Sequence, residues 1–238
     1  MKKLKDLAIK IFADGADRSD MLKMNEDPYI QGLTTNPTLM KKAGIKDYSF
    51  FCKEILTQIK HKPISFEVFS DDFLEMERQA MEIASWGNNV YVKIPIINTK
   101  KETCYELVKK LSKQKVKINV TAIMTIHQVS NVVSALNPEV PSYLSVFAGR
   151  IADTGRDPLP VMIEIIKILK SLPKSELIWA SPRELLNIFQ ADEIGCHVIT
   201  ATKDIIKKLA LIGHDLDMYS LDTVKMFYND ALEAGFKL

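Results

Sequence analysis

Cysteine is scarce in this 238-residue chain, and nothing in the sequence has the spacing of a metal site. The three cysteines, Cys52, Cys104 and Cys196, lie far apart and form no Cys-x-x-Cys pair. We therefore expect neither a disulfide framework nor a zinc site, and the four histidines also lack the spacing of metal ligands. Unpaired cysteine is typical of a reducing compartment. These features predict a cytoplasmic protein without a bound metal.

Long apolar runs and nucleotide-binding patterns are missing as well. No stretch approaches the roughly 20 apolar residues of a membrane helix, and charges at Lys5, Asp6 and Lys10 interrupt the N-terminal segment too early for the core of a signal peptide. The G-x-G-x-x-G, P-loop and G-x-S-x-G patterns are absent. The formal charge is only +2, and the short lysine clusters do not form an extended basic surface. We expect no membrane, nucleic-acid or nucleotide-cofactor partner.

The sequence does contain eight short apolar runs, several of them rich in β-branched residues, that alternate with segments of helical periodicity. The runs are residues 8–13, 30–33, 64–69, 89–94, 116–123, 142–147, 176–180 and 196–200, and helical examples are 72–86, 102–112, 125–136, 159–169 and 182–190. The runs begin about 20 to 34 residues apart, the length of one strand plus one crossover helix. The pattern predicts one (β/α)8 barrel domain across residues 1–238.

The C-terminal segment from about residue 207 lies beyond the eighth run. Its periodicity predicts one or two further helices, covering residues 220–227 and 228–234. We expect this helical tail to cap the barrel or to mediate assembly.

Polar residues stand where the predicted strands end, which is where barrels of this type build their active sites. They are Asp14 after the first run, Thr34 and Asn36 after the second, Glu67 in the third, Lys93 in the fourth, Asn119 and Thr121 in the fifth, Ser145 in the sixth, Arg150 beyond it, and Ser181 with Arg183 after the seventh. Convergence of these side chains would create a polar pocket.

Lys93 is the candidate nucleophile because it lies among β-branched residues in VYVKIP. Burial at a barrel mouth favours the uncharged amine, which can attack a carbonyl carbon and form a Schiff base. The alternative is a lysine whose stem is buried while its charged end reaches solvent.

Two carboxylates accompany this lysine. Asp14 and Glu67 lie in apolar strands, where an unpaired charge is costly, and they could divide the proton transfers of Schiff-base chemistry. Asp14 could instead be a turn or helix-cap residue, and Glu67 could form an ion pair with a barrel lysine such as Lys93.

The remaining polar residues suggest substrate contacts. Thr34 and Asn36 lie in GLTTNPT, which could equally cap the next helix. Arg150, Ser181 and Arg183 would form a phosphate pocket, unless the arginines only form surface salt bridges, for instance Arg150 with Asp153.

Taken together, IFADGAD, GLTTNPTL, ISFEVF, VKIP, INVTAI and YLSVFAGRIAD resemble the transaldolase family, including its shorter members and the related fructose-6-phosphate aldolases. The resemblance implies that Lys93 forms the Schiff base with a ketose phosphate and that Asp14 is the acid/base for carbon–carbon cleavage. It assigns Glu67 and Thr121 to a catalytic water. It also implies sugar contacts from Thr34, Asn36, Asn119 and Ser145, and phosphate contacts from Arg150, Ser181 and Arg183.

Two positions separate the close relatives. The aldolases that this chain resembles carry Gln and Tyr where Glu67 and Phe147 stand here. The resemblance therefore implies transfer of a dihydroxyacetone unit from fructose 6-phosphate or sedoheptulose 7-phosphate to an aldose phosphate, without metal or organic cofactor, in the pentose phosphate pathway. It further implies a homo-oligomer, since small relatives commonly form rings. Aldol cleavage without transfer, or a non-catalytic barrel that binds sugar phosphates, are the alternatives.

Overall fold

A computed structural model describes residues 2–237. Eight parallel strands close into a barrel in chain order, so the predicted (β/α)8 fold is confirmed. The strands are β1 (Lys10–Asp14), β2 (Ile30–Thr34), β3 (Ile64–Glu67), β4 (Val90–Pro95), β5 (Ile118–Ile123), β6 (Ser142–Val146), β7 (Ser175–Trp179) and β8 (Val198–Thr202). Closure through the β1–β8 pair brings the carboxyl ends of all eight strands to one mouth.

Eleven α-helices follow or connect these strands within the described range. They are α1 (Arg18–Glu26), α2 (Pro37–Lys42), α3 (Tyr48–Gln58), α4 (Phe73–Ala84), α5 (Tyr105–Lys113), α6 (Ile126–Ala135), α7 (Ala148–Asp153), α8 (Leu159–Leu169), α9 (Leu186–Glu193), α10 (Lys203–Lys207) and α11 (Leu216–Glu233). Short side chains cap several N-termini, as the sequence favours. These caps are Asp17, Asn36, Asp47, Asp72, Thr125 and Asp215.

Some predicted boundaries of strands and helices differ from those in the structure. The first run was expected to begin at Ala8, yet the amides of Ala8 and Ile9 bond to the Asp192 carboxylate and β1 starts at Lys10. The tail was expected to form one or two helices, and it forms one long helix, α11, which begins at Leu216 and spans most of both predicted segments. Helix α9 was expected to begin at Pro182 but begins at Leu186.

Aromatic side chains pack inside the barrel together with Ile178, Ala180 and Val198. Phe12 and Tyr143 meet edge to face with ring centroids 5.6 Å apart, and Tyr91 lies 4.4 Å from Tyr143. A β-carbon at Gly32 would come within 2.5 Å of the Phe12 ring, so the ring occupies space that only glycine leaves open. Because Phe12 lies two residues before Asp14 on the same strand face, this layer forms the floor beneath the mouth.

Helix α11 differs from the others because none of its residues is buried. Large apolar side chains along it are exposed, among them Leu216, Val224, Phe227, Tyr228 and Leu232. Each of the helices α1 to α10, in contrast, turns at least one residue into the core between helices and barrel. None of the helices in residues 2–237 is both long and apolar enough to cross a membrane.

Candidate active site

A cavity of about 290 Å³ opens at the carboxyl ends of the strands. It brings together ten of the twelve residues predicted from the sequence, namely Asp14, Thr34, Asn36, Lys93, Thr121, Ser145, Phe147, Arg150, Ser181 and Arg183. The other two lie directly behind its wall, since Glu67 contacts Lys93 and Asn119 contacts Ser145. The strand-end pattern therefore predicted one continuous pocket.

Lys93 is buried at the centre of this cavity, with 6% of its surface exposed. Its Nζ lies 3.0 Å from Glu67 Oε2 and donates a hydrogen bond of 2.7 Å to the Thr35 carbonyl oxygen. The ion pair considered for Glu67 is thus present, whereas a lysine that extends into solvent is not what the structure has. A carboxylate next to the amine is well placed to take its proton.

Asp14 ends β1 and reaches the same cavity. Thr34 Oγ1 donates to one carboxylate oxygen at 2.7 Å, and Asn36 Nδ2 lies 3.4 Å from the other. Burial raises the pKa of Asp14 and outweighs the Lys93 charge and the Thr34 hydrogen bond, which lower it. Asp14 is not the cap of α1, because Asp17 fills that role. A carboxyl with a raised pKa suits acid/base work.

The segment after β2 serves two purposes. Asn36 caps α2 by accepting from the Leu39 amide, while its amide nitrogen points to Asp14. Capping and site contact were alternatives in the sequence, and one side chain does both. The Thr34 hydroxyl also lies 2.5 Å from that of Thr200 on β8. Thr200 was missed, although it closes the last predicted run.

A chain of hydrogen bonds crosses the mouth beneath the cavity. Ser145 Oγ donates to Asn119 Oδ1 at 2.8 Å, and Asn119 Nδ2 donates to Ser65 Oγ at 3.0 Å. All three side chains are buried. These two hydrogen bonds fix the orientation of the Asn119 side-chain amide. Ser65 was also missed, although its position two residues before Glu67 places it on the same strand face.

Thr121 lies beside an irregularity in β5. The register with β6 shifts between Val120 and Ile123, and Ala122 adopts a left-handed φ of 60°. Such a bulge re-aims the side chains next to it. The Thr121 hydroxyl is buried, lines the cavity and has no hydrogen-bond partner within residues 2–237. It can therefore bind a polar group that enters the cavity.

Arg150, Ser181 and Arg183 form one rim of the cavity. Arg183 Nε donates to Asp153 Oδ1 at 2.9 Å, and its Nη2 donates to the second carboxylate oxygen. The sequence offered a salt bridge between Arg150 and Asp153 as an alternative to phosphate binding, but the partner of Asp153 is Arg183. The Arg183 guanidinium lowers the pKa of Asp153. Arg150 instead lies over the Phe147 ring, 5.6 Å from its centroid.

Gly149 explains how the two arginine-bearing segments come together. Its amide donates to the Ala180 carbonyl at 3.4 Å, and a β-carbon there would overlap the Ser181 carbonyl oxygen. Ser181 itself has a left-handed φ of 60°, which turns the chain toward α7. Both guanidinium groups thus reach the rim through a backbone contact that only glycine permits.

The arrangement as a whole fits covalent chemistry on an anionic carbonyl compound. It places an amine, an adjacent carboxylate, a second carboxyl with raised pKa and two guanidinium groups around one polar cavity. Residues 2–237 contain no cluster of three or more His, Cys, Asp or Glu side chains arranged to hold a metal ion.

Comparisons with known proteins identify the family that this chain resembles. A family profile described as Transaldolase/Fructose-6-phosphate aldolase matches residues 11–237. A relative from Thermoanaerobacter sp. (strain X514), named probable transaldolase, is 33% identical over 231 residues, covering 97% of this chain and 100% of that protein. Proteins of the same name from Dehalococcoides mccartyi and Streptococcus agalactiae are 32% and 35% identical, covering 84% and 81% of this chain and 90% and 85% of their own lengths.

Replacing Asp14 by Asn is expected to raise the free energy of unfolding at pH 8 by about 1–3 kcal/mol, the usual cost of an incompletely compensated buried polar group. An unfolded Asp loses its proton near pH 3.9, whereas the folded Asp14 holds it to higher pH. Ionisation of Asp14 therefore lowers the free energy of unfolding. The loss grows as the pH rises from the pKa in the unfolded chain to the pKa in the folded protein, and it stays constant above both values. Urea denaturation at pH 8 and pH 5 measures the difference, which should shrink at pH 5.

Asp17→Asn is the matched control, because hydrogen bonds from the Asp20 amide and the Ser19 hydroxyl lower the pKa of Asp17. That variant should gain no stability at pH 8. A D14N protein that is no more stable than the wild type at pH 8 would contradict the assignment of a raised pKa.

Proposed function

The chain belongs to the transaldolase/fructose-6-phosphate aldolase family, and from that premise we propose that it transfers a dihydroxyacetone unit from fructose 6-phosphate or sedoheptulose 7-phosphate to an aldose phosphate. One observation carries the proposal: the Lys93 amine is buried 3.0 Å from Glu67 in the cavity that also contains Asp14. Such a lysine can act as a covalent catalyst, and the iminium it forms withdraws electrons from the donor sugar.

In the first step, Lys93 transfers a proton to Glu67 and attacks the C2 carbonyl of the donor. The resulting carbinolamine loses its hydroxyl as water, with the proton supplied from Glu67, and the C–N double bond forms. The free Thr121 hydroxyl on the same wall supports a role in holding that water. Glu67 acts as base and then as acid, a sequence suited to a carboxyl that stays beside the reacting nitrogen.

Carbon–carbon cleavage is assigned to Asp14. Its carboxylate accepts the proton of the C4 hydroxyl while the C3–C4 bond breaks, and the electron pair of that bond moves to the iminium nitrogen. An enamine remains on Lys93 and an aldose phosphate leaves. The raised pKa of Asp14 suits it to hold this proton and return it when the acceptor aldose binds. Thr34 and Asn36 hold the carboxylate in place.

Substrate contacts are assigned to the remaining cavity residues. Thr34, Asn36, Asn119 and Ser145 would contact the hydroxyls of the dihydroxyacetone unit, supported by the hydrogen-bond chain through Asn119. Arg150, Ser181 and Arg183 would bind the phosphate, since guanidinium groups donate to phosphate oxygens in pairs. Arg183 keeps free N–H donors while it contacts Asp153 through Nε and Nη2.

Transfer is favoured over simple aldol cleavage by the apolar ring of Phe147 on the cavity wall. A hydroxyl at this position could deliver a proton to the enamine and release dihydroxyacetone, whereas a phenyl ring leaves the enamine intact for an acceptor. Cleavage of fructose 6-phosphate is the second candidate, and a non-catalytic sugar-phosphate-binding barrel is the third. The buried Lys93 and the partly buried Glu67 and Asp14 argue against the third, because keeping these charged groups in the barrel costs folding stability and sugar-phosphate binding does not require them.

We place this activity in the pentose phosphate pathway and in the cytoplasm. The three cysteines support a reducing compartment, because all are buried and none is paired. Cell fractionation tests the location: recovery of the native protein only from a secreted or membrane fraction would contradict it.

The proposed enzyme also assembles with copies of itself through α11. A helix with this many exposed large apolar side chains is unusual for a monomer, since such surface is normally covered.

The Schiff base is tested by intact-mass spectrometry after incubation with fructose 6-phosphate and sodium borohydride. The wild type should gain a three-carbon adduct, and Lys93→Ala should gain none. Lys62→Ala is the matched control, because that partly buried amine bonds the Met24 and Asp27 carbonyls and lies outside the cavity. Absence of an adduct on the wild type, with sugar-phosphate binding shown by calorimetry, would leave only the non-catalytic barrel.

Phe147→Tyr is expected to shift the reaction toward cleavage and to raise the ratio of free dihydroxyacetone to transfer product by about 10-fold. This factor is smaller than the rate gain of a fully aligned general acid, because the added hydroxyl is not fully positioned for proton transfer. Product analysis with and without an aldose phosphate acceptor measures this ratio. Phe69→Tyr adds the same hydroxyl at an exposed site outside the cavity and should not change it. Equal ratios for the wild type and both variants would refute the role given to Phe147.

Assembly through α11 is tested by light scattering after size-exclusion chromatography. The double variant Val224→Asp/Phe227→Asp should lower the molecular mass to that of a smaller species, since it places charge on an apolar helix face. Lys225→Gln/Asn229→Asp changes the net charge by the same amount at exposed polar positions away from this face and should keep the wild-type mass. A monomeric wild type would overturn the proposal.

A further inference from the structure

The pairing of β2 with β3 stops one hydrogen bond short of the active site. The Leu33 amide donates to the Pro63 carbonyl at 2.9 Å, and the Thr35 amide donates to the Ser65 carbonyl at 3.1 Å. In a parallel ladder the next bond in this register would run from the Glu67 amide to the Thr35 carbonyl. That bond is not formed in this structure, although both residues lie within the described range.

The hydroxyl of Tyr48, from α3, replaces the missing strand partner. The Glu67 amide donates to Tyr48 Oη at 2.9 Å, and Tyr48 Oη donates to the Glu67 carbonyl at 2.8 Å. One hydroxyl therefore satisfies both backbone groups of the residue whose side chain faces Lys93. Neither group is left without a partner at this strand end, which a buried backbone requires.

The displaced carbonyl of Thr35 is used elsewhere. It accepts the 2.7 Å hydrogen bond from Lys93 Nζ, and the same Nζ lies 3.0 Å from Glu67 Oε2. If the Glu67 amide took the regular ladder position, it would compete with Lys93 for this carbonyl. The inserted hydroxyl thus connects the backbone of Glu67 to the placement of the lysine.

The Tyr48 ring is held firmly enough for this role. It packs edge to face with Phe69, with centroids 5.3 Å apart, and lies 6.3 Å from the Trp86 ring. Its helix begins at the N-cap Asp47, directly before it. Burial is the main reason why the pKa of Tyr48 is raised, so the phenol keeps the proton that it donates.

We propose that Tyr48 is a positioning residue for the catalytic pair, which keeps the ends of β2 and β3 apart so that the Thr35 carbonyl holds Lys93 while Glu67 faces it. The inference rests on the proposed Schiff-base function. Tyr48 does not line the cavity; it acts through the backbone of Glu67 and the carbonyl of Thr35.

Tyr48→Phe is the direct test, because it removes the hydroxyl and keeps the ring packing. The kcat for transfer should fall by about 10- to 100-fold, the range expected when a reacting group is misplaced by about 1 Å, and the KM for fructose 6-phosphate should stay within about twofold. The rate of borohydride trapping in a single turnover should fall by the same factor as kcat.

Tyr91→Phe is the matched control, since it removes one hydroxyl from a half-buried ring at the floor of the same barrel. Its kcat and trapping rate should stay within about twofold of the wild type. Equal losses in the two variants, or a rise in KM without a fall in kcat, would show that Tyr48 is only structural and overturn the proposal.

Two further measurements keep the test decisive. Genetically encoded 4-aminophenylalanine at position 48 can both donate and accept, so it should restore most of the trapping rate, including if Tyr48→Phe folds poorly; failure of this rescue in a folded protein counts against the proposal. The wild-type trapping experiment separates the two levels of inference. No adduct on the wild type refutes the proposed function itself, whereas an adduct that forms equally fast on Tyr48→Phe refutes only the role of Tyr48.

Discussion

The buried contact between Lys93 and Glu67 is the constraint around which the barrel mouth is organised. A lysine with so little exposed surface must have hydrogen-bond acceptors, because an isolated buried charge is very costly. One acceptor is a carboxylate from the neighbouring strand β3, and the other is the backbone carbonyl of Thr35. The second contact exists only because the β2–β3 ladder opens at that point, so the lysine and the sheet irregularity depend on each other.

The closed barrel places the contact between Lys93 and Glu67 at the centre of the barrel mouth. Parallel strands of similar length end at the same level, so the side chains of β1, β3, β4 and β5 meet around the lysine. The aromatic floor of Phe12, Tyr91 and Tyr143 leaves polar space only above it. Asp14 lies in that space, where burial raises its pKa despite the positive charge of Lys93 nearby. The chemistry and the packing therefore share the same few strand ends.

Much of this could be predicted from the sequence, because strand periodicity and strand-end polarity are local properties. Lys93 and Asp14 could be recognised in this way, and so could the barrel. Contacts between distant segments could not. The Arg183–Asp153 pair depends on how two loops meet, and the replacement of a ladder bond by Tyr48 depends on where α3 packs against β3. Likewise, the start of β1 at Lys10 follows from the Asp192 carboxylate, 182 positions further along the chain.

The contact of Gly149 with the Ser181 carbonyl has a consequence for protein engineering. Arg150 directly follows this glycine, and Arg183 lies two residues beyond the serine. The spacing of the two guanidinium groups is thus fixed by main-chain contact, and exchanging side chains around them will not tune it. Mutant libraries that aim to change how the phosphate group of the substrate is recognised should therefore vary the loops that carry Arg150 and Arg183 together, and should keep glycine at position 149. On the opposite wall, Thr38 and Leu39 line the cavity and can be changed one at a time, unlike Thr34 and Asn36, which hold Asp14.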